Sequence, residues 1–271
     1  LRGWKWRQIL HDLKPISTWR LCGAILAGYG AATIVPLGIS PFVRSWLVAR
    51  LEGLRFASVL VTAAVERFID GVVFALIAGA VAALGGMSPG LADLRTGLGV
   101  AAGLGLGIFA ALLWLIFRGR AILGHSEGPI SRLVDWLAAK GGARLRDLRP
   151  AIAGGIVWPR EGHRQIAIVA ASLAMKAVAA THLLWAGLAV GVVLGLVDYL
   201  FLLVIAGFAL VLARLMRIPG GFVLGTGFAL QRLGVADEQA LAMIMFTHIL
   251  TIVLVVGIGL VVLWQSGLEI G

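Results

Sequence analysis

The sequence predicts an all-α, polytopic membrane protein, and its composition excludes an ordinary water-soluble enzyme. Of the 271 residues, 60% are hydrophobic and only 13% are charged, whereas about 25% are charged in an average soluble domain. The mean hydropathy is +1.00. The apolar residues gather in charge-free runs, several of which reach the roughly 20 residues that a bilayer-crossing helix needs. We therefore predict a single integral membrane domain over residues 1–271.

About five full-span helices are expected from these runs, with tryptophans near several run ends as interfacial anchors. The expected spans are Ala57–Leu84, Thr96–Phe117, Gln165–Leu188, Gly191–Ala213 and Gln239–Trp264. The chain begins at Leu1 without an initiator Met, so we also expect that one or two helices precede this residue.

The largest loop between the spans is basic and orients the protein. Residues 118–164 carry nine Lys or Arg against four Asp or Glu. Such loops remain in the cytoplasm, which predicts a bacterial inner-membrane protein with a periplasmic C-terminus. Within the loop, Ile130–Leu137 has apolar residues at helical spacing, which predicts a short amphipathic helix lying on anionic lipid.

The apolar segment Leu21–Leu51 is interrupted by residues that break a helix. Its breakers are Pro36, Gly38 and Pro41, and proline in a helix interior removes a hydrogen bond and clashes with the preceding turn. We predict a re-entrant segment that enters the membrane to about Pro36, turns and returns. Such a path leaves the basic residues before Lys14 in the cytoplasm.

A second broken segment follows in the C-terminal part of the chain. Residues 218–232 are uncharged up to the last one and are interrupted by Pro219, Gly220 and Gly221. We predict a second re-entrant segment here. Because each broken segment precedes a long helix, the pattern favours two related halves of a transporter-like fold. Irregular backbone at membrane depth is tolerated where it lines a cavity, so both turns are candidate sites.

Charged residues cluster in the first third of the span that follows the first broken segment. Glu66 and Asp70 are four residues apart and share a helix face, with Arg67 three residues before Asp70. One interpretation is a lipid site, in which Arg67 and Arg44 bind a phosphate and the carboxylates position them. The other is an internal salt-bridge cluster that fixes the first re-entrant turn.

Two further polar residues fall in the middle of predicted spans. Lys176 is either a site residue, as intramembrane cations commonly are, or a side chain that extends toward the interface. For His248 the alternatives are a packing role and a proton relay. Neither pattern decides between them.

The chain shows no sign of covalent chemistry. It lacks H-E-x-x-H, G-x-S-x-G, a Walker lysine loop and paired Cys/His ligands, and Cys22 is the one cysteine. We therefore expect no enzyme activity, no catalytic residue, no metal and no cofactor. The basic loop is expected to contact lipid rather than nucleic acid.

Four segments, in order along the chain, resemble the flippase-type transmembrane region of the lysylphosphatidylglycerol synthase family. Leu1–Leu10 is similar to the family's R-W-R-x-L-L, and Gly28–Arg44 to its A-N-x-x-L-P-A-R-x-G-E-x-x-R. Glu66–Asp70 matches E-R-x-x-D, and Pro219–Gly227 is similar to P-G-G-x-G-x-x-E-G. The resemblance implies the family's membrane fold over most of the chain.

Several polar positions of the family are replaced in this sequence. They fall on Ala32, Gly38, Pro41, Thr226 and His248, and a glycine of the family falls on Ser40. Two functions therefore stay open. The first is non-catalytic binding or translocation of an anionic, polyprenyl- or hopanoid-type lipid, along a path of Arg44, Glu66, Arg67, Asp70, Lys176, Thr226 and His248. The second is a structural or accessory role beside other integral membrane subunits, with the fold retained and transport lost.

Overall fold

The computed structural model describes residues 1–34, 39–83, 92–124, 159, 161–216 and 220–268, and within them the chain is helical with no strand. The all-α prediction is confirmed for these residues. The helices are α1 (Arg2–Leu10), α2 (Thr18–Ile34), α3 (Ser40–Glu52), α4 (Phe56–Ala83), α5 (Ala92–Gly124), α6 (Gly162–Ala189), α7 (Leu196–Met216), α8 (Gly221–Arg232), α9 (Asp237–Thr251) and α10 (Gly257–Leu268). A π-helical turn, Ile252–Val256, joins α9 to α10.

Four of the described helices are long and apolar enough to cross a membrane. The candidate spans are Leu94–Ala111, Gly162–Ala189, Leu196–Ala213 and Asp237–Val262. The fifth expected span corresponds to α4, which has 28 residues and a length of about 42 Å at 1.5 Å per residue. It differs from the other four because Glu66, Arg67 and Asp70 interrupt its apolar sequence.

The boundaries around the basic loop differ from those expected. Helix α5 continues to Gly124, seven residues beyond Phe117, and α6 already begins at Gly162. The expected amphipathic helix Ile130–Leu137 lies outside the described residues.

Helices α2 and α3 form an antiparallel pair across the first broken segment. The start of α2 meets the end of α3, where Arg20 Nη1 lies 3.0 Å from Glu52 Oε1. At the other end, a Cβ on Gly28 would lie 2.8 Å from the Ser40 carbonyl oxygen. Helices α2 and α3 thus run in opposite directions, and the re-entrant path of this segment stays a prediction. Pro36 and Gly38 lie outside the described residues.

Pro41 and Gly221 do not occupy the turns expected from the sequence. Pro41 lies in the first turn of α3, where its missing N–H group needs no partner and its fixed φ suits a helix. Gly221 is the first residue of α8, and Gly220 precedes it with a φ of +73°, a left-handed conformation that glycine adopts without steric cost. Pro219 lies outside the described residues.

The second broken segment repeats the order of elements seen in the first. A helix (α7), a short helix (α8) and a long helix (α9 to α10) follow one another, as α2, α3 and α4 do. Helices α8 and α9 are antiparallel, since Gln231 donates a 2.8 Å hydrogen bond to Asp237 and the Phe222 ring stacks on His248. The order agrees with the predicted pair of halves, whose relation stays a prediction.

Two apolar cores hold the helices together. One lies among α1 to α4 around Trp6, Ile9 and Leu21. The other lies among α4 to α9 around Phe201 and Leu230. The first and last parts of the chain meet where α2 crosses α10, and a Cβ on Gly30 would lie 2.7 Å from the Gly259 carbonyl carbon. Glycine permits this close approach of two helix backbones.

The ion pairs that close the α2–α3 hairpin are expected to weaken in acid. Hydrogen bonds from Lys14, and then from Arg20, hold the pKa of Glu52 below its ordinary value. A lowered carboxyl pKa contributes stability above the unfolded pKa of about 4.3 and loses it as the pH falls through the folded value. We expect Glu52→Gln to lower stability by at most about 1 kcal/mol at pH 7, measured by thermal unfolding in detergent. The difference from the native protein should shrink as the pH falls below the unfolded pKa, and a difference that stays constant down to acid unfolding would contradict this role.

Candidate functional site

The short N-terminal helix α1 places a lysine inside the membrane domain. Helix α1 packs against α2, α4 and α6, and Lys5 is 0% exposed. Its ammonium group lies 2.6 Å from Asp70 Oδ1 and 3.7 Å from Glu66 Oε1. A buried ammonium group is stable only with such partners, because desolvation otherwise favours its neutral form.

Arg44 of α3 pairs with Glu66, one of the two carboxylates that Lys5 contacts. Its Nη1 lies 2.6 Å from Glu66 Oε2, and its guanidinium lies 4.6 Å from the centre of the Trp6 ring. Arg44 and Glu66 are 1% and 0% exposed. The Arg44 Nε has no hydrogen-bond partner, so this guanidinium retains an unused donor.

Arg2 forms the accessible rim of the cluster. Its Nε lies 3.3 Å from Glu66 Oε1, its Nη2 lies 3.0 Å from Asp70 Oδ2, and its Nη1 donates a hydrogen bond to the Tyr29 hydroxyl. The Arg2 side chain is 25% exposed, whereas that of Asp70 is 10% exposed. Arg2 is therefore the most exposed member of the cluster within the described residues.

Helix α6 contributes a serine to the cluster and a lysine one turn beyond it. The buried Ser172 donates a 3.3 Å hydrogen bond to Asp70 and accepts one of the same length from Lys5. Lys176 follows one helical turn later and lies over the Phe74 ring, 5.0 Å from its centre.

Positive charge exceeds negative charge in this region. We define the polar cluster as Arg2, Lys5, Arg44, Glu66 and Asp70, which contains three cations and two carboxylates. Lys176 and Arg67 also act on the cluster electrostatically. Within the cluster itself, three cations exceed two carboxylates, an arrangement that attracts an anion in a low-dielectric setting.

The structure brings only part of the predicted path together. Arg44, Glu66 and Asp70 meet as expected, whereas Arg67 is exposed and has no ion pair among the described residues. Adjacent residues on a helix do not face each other, so a cluster on the Glu66 face excludes Arg67. Its expected place is taken by Arg2 and Lys5.

The two predicted path residues of the C-terminal half lie apart from the cluster. Thr226 is 3% exposed, and its hydroxyl has no hydrogen-bond partner in the described part of the chain. It lies on α8, which also contributes Leu230 to the second apolar core. His248 is exposed and stacks on Phe222, with ring centres 5.9 Å apart. The C-terminal half therefore buries mainly apolar groups where the N-terminal half buries charge.

The comparison with known families agrees with this architecture. The family model of the lysylphosphatidylglycerol synthase TM region matches residues 1–259. The chain belongs to this family. No curated protein and no solved structure matches it.

Membership in the lysylphosphatidylglycerol synthase TM family confirms the resemblance that the four motifs indicated. The matched region contains the whole polar cluster and both broken segments. It identifies the chain as a multi-pass membrane domain. In this family member, no group of three His, Cys, Asp or Glu residues within the described ranges could bind a metal ion.

Proposed function

We propose that this membrane domain binds an anionic lipid at the polar cluster and moves it between leaflets without covalent chemistry. The observation that carries the proposal is the excess of cations over carboxylates in a buried region. Charged groups inside a membrane domain are costly unless they are paired or line a polar path. An anionic headgroup supplies the charge that the two carboxylates leave unbalanced.

Arg2 is the first contact in the proposed path. It is the most exposed side chain of the polar cluster, so a phosphate can pair with it while Glu66 and Asp70 continue to hold its guanidinium in place. Arginine suits this role because its planar fork binds a phosphate through two parallel hydrogen bonds. The proposed setting is the bacterial inner membrane, with the C-terminus in the periplasm.

A second candidate function, that of an accessory subunit, is favoured by the C-terminal half. Thr226 is surrounded by apolar packing and His248 is stacked on Phe222, so neither extends the polar cluster across the domain. A subunit that retains the fold only for assembly does not need a continuous polar path across the domain. Its partners would be other integral membrane proteins.

Transport in vesicles distinguishes the two functions. We expect the purified chain, reconstituted in phosphatidylcholine vesicles, to move fluorescent phosphatidylglycerol faster than fluorescent phosphatidylcholine. Arg2→Gln should slow phosphatidylglycerol movement by about tenfold, because a charged hydrogen bond is worth about 1.5–3 kcal/mol and tenfold corresponds to about 1.4 kcal/mol.

Arg7→Gln is the matched control, since Arg7 lies on the same helix α1 but is exposed. It should leave the rate unchanged. If folded native protein moves neither lipid, transport is excluded and the accessory role is favoured. Equal rates for Arg2→Gln and Arg7→Gln would exclude the polar cluster as the path.

A further inference from the structure

A cavity of about 530 Å³ lies between α4, α6, α7, α8, α9 and the π-helical turn, separate from the polar cluster. Its size falls within the range of small-molecule sites. The lining is apolar apart from Lys176, His182 and Thr251. A space of this kind suits an amphiphile, with a long apolar part and one polar end.

The cavity is open toward the lipid. Val178 of α6, Leu250 of α9 and Leu254 of the π-helical turn form its outer edge, and all three are exposed. Both helices are candidate membrane spans, so their exposed apolar side chains contact acyl chains. A lipid chain can therefore enter sideways from the bilayer.

Two of the polar groups that line the cavity, Lys176 and His182, lack a matching partner. Lys176 lies near the middle of α6, about 20 Å from either end at 1.5 Å per residue, too far for its ammonium to reach the interface easily. In the described residues its close contact is the Phe74 ring rather than a carboxylate. His182 Nε2 is buried without a hydrogen-bond partner, and buried polar groups normally have one.

The backbone beside the cavity is irregular. The π-helical turn Ile252–Val256 supplies Leu254 and Val255 to the wall. Such turns are rare and occur frequently at functional sites. Thr251, immediately before the turn, donates a 2.8 Å hydrogen bond to the Thr247 carbonyl.

We propose that this cavity binds the chain of a lipid with a single acidic headgroup, which Lys176 neutralises and His182 contacts by a hydrogen bond. This inference rests on the proposed function, because both require an anionic lipid. It adds a second binding site, apart from the polar cluster, and the class of headgroup that this site accepts. The acidic group can be a phosphate monoester or a carboxylate, because both present the oxygens that an ammonium binds. A zwitterionic headgroup fits poorly, since the described lining offers no carboxylate for its cation.

Two probes with the same chain test the headgroup preference. The full chain is placed in phosphatidylcholine nanodiscs, and affinities for dodecyl phosphate and dodecylphosphocholine are measured by thermal shift. Dodecanoate then distinguishes a carboxylate from a phosphate. We expect the native protein to bind dodecyl phosphate at least tenfold more tightly than dodecylphosphocholine.

Variants assign that preference to the cavity. Lys176→Met should abolish it, and Lys176→Arg should retain it. Ala179→Phe fills the cavity and keeps the charge of Lys176. It should therefore lower the affinity for both probes by about the same factor. Lys14→Met is the control, because Lys14 pairs with Glu52 at the hairpin end, and it should leave the preference unchanged.

The outcomes separate this inference from the proposed function. If Lys176→Met still binds dodecyl phosphate tenfold more tightly than dodecylphosphocholine, the anion binds elsewhere and the cavity site is overturned. The proposal of transport through the polar cluster is not affected by that result. Equal affinities of the native protein for both probes also overturn the cavity site. If Lys176→Met fails to fold, the test rests on Ala179→Phe. Unchanged affinity for the probes in that variant would contradict binding in the cavity. A third outcome is that the protein moves no lipid in vesicles but loses its headgroup preference in Lys176→Met. That result would support the cavity site and exclude only the movement of lipid between leaflets.

Discussion

Replacing Glu66 with Gln is expected to destabilise the protein by about 3–5 kcal/mol, the range for breaking a buried ion pair. Glu66 is 0% exposed and lies within 3.7 Å of cationic groups of Arg2, Lys5 and Arg44. Without its charge, Asp70 alone remains to balance three cations. The measurement is thermal or denaturant unfolding in mild detergent, together with the yield of folded protein.

The neighbouring residue supplies the control. Arg67 follows Glu66 on α4 but is exposed and has no ion pair among the described residues. Arg67→Gln should therefore change stability by less than about 1 kcal/mol. Similar losses for the two variants would contradict a cluster centred on Glu66 and would restore Arg67 to the group.

The second large effect is expected where the first and last parts of the chain cross. A Cβ added to Gly259 overlaps the Leu26 carbonyl oxygen, and it would lie 2.9 Å from the Gly30 nitrogen. These are backbone atoms, so α2 and α10 must separate to admit even one methyl group. Gly259→Ala should cost about 1–3 kcal/mol, as overpacking does, and Gly259→Leu should cost more.

Gly257→Ala is the matched control for this crossing. Gly257 lies two residues earlier on the same helix, and a Cβ there meets nothing within 4 Å. The substitution should be neutral or slightly stabilising, because alanine favours a helix more than glycine does. Equal unfolding temperatures for Gly259→Ala and Gly257→Ala would show that α10 does not cross α2 at this point.

The sequence was sufficient to predict the class of fold and three of the five members of the polar cluster. Long apolar runs identify membrane helices directly, because bilayer thickness sets their length. Glu66 and Asp70 could be paired from their four-residue spacing, and Arg44 could be added from the resemblance. The reversal between α2 and α3 followed from helix-breaking residues in an apolar run.

Arg2 and Lys5 were missed for a physical reason. Helix α1 has nine residues, and four of its side chains are basic or amide, a composition that predicts a surface segment. Its burial depends on carboxylates more than 60 positions away in the chain, and no local pattern reports such a contact. One signal was present, since Arg2 and Lys5 are three residues apart and share a helix face.

The cavity was equally beyond local reasoning. Lys176 and His182 could be identified as polar residues in a predicted span. Their common environment depends on how α4, α6, α7 and the π-helical turn pack together. Hydrophobic periodicity specifies which face is apolar, and it does not specify where facing surfaces leave a gap.

The most direct test of the account is the lipid that the protein retains after purification. Native mass spectrometry of the full chain, extracted from membranes of known composition, measures the ratio of anionic to zwitterionic lipid bound. We predict that the native protein and Arg7→Gln are enriched in anionic lipid relative to the membrane, and that Arg2→Gln loses much of this enrichment. Bound lipid with the composition of the bulk membrane, or equal enrichment in Arg2→Gln, would contradict an anionic headgroup site at the polar cluster.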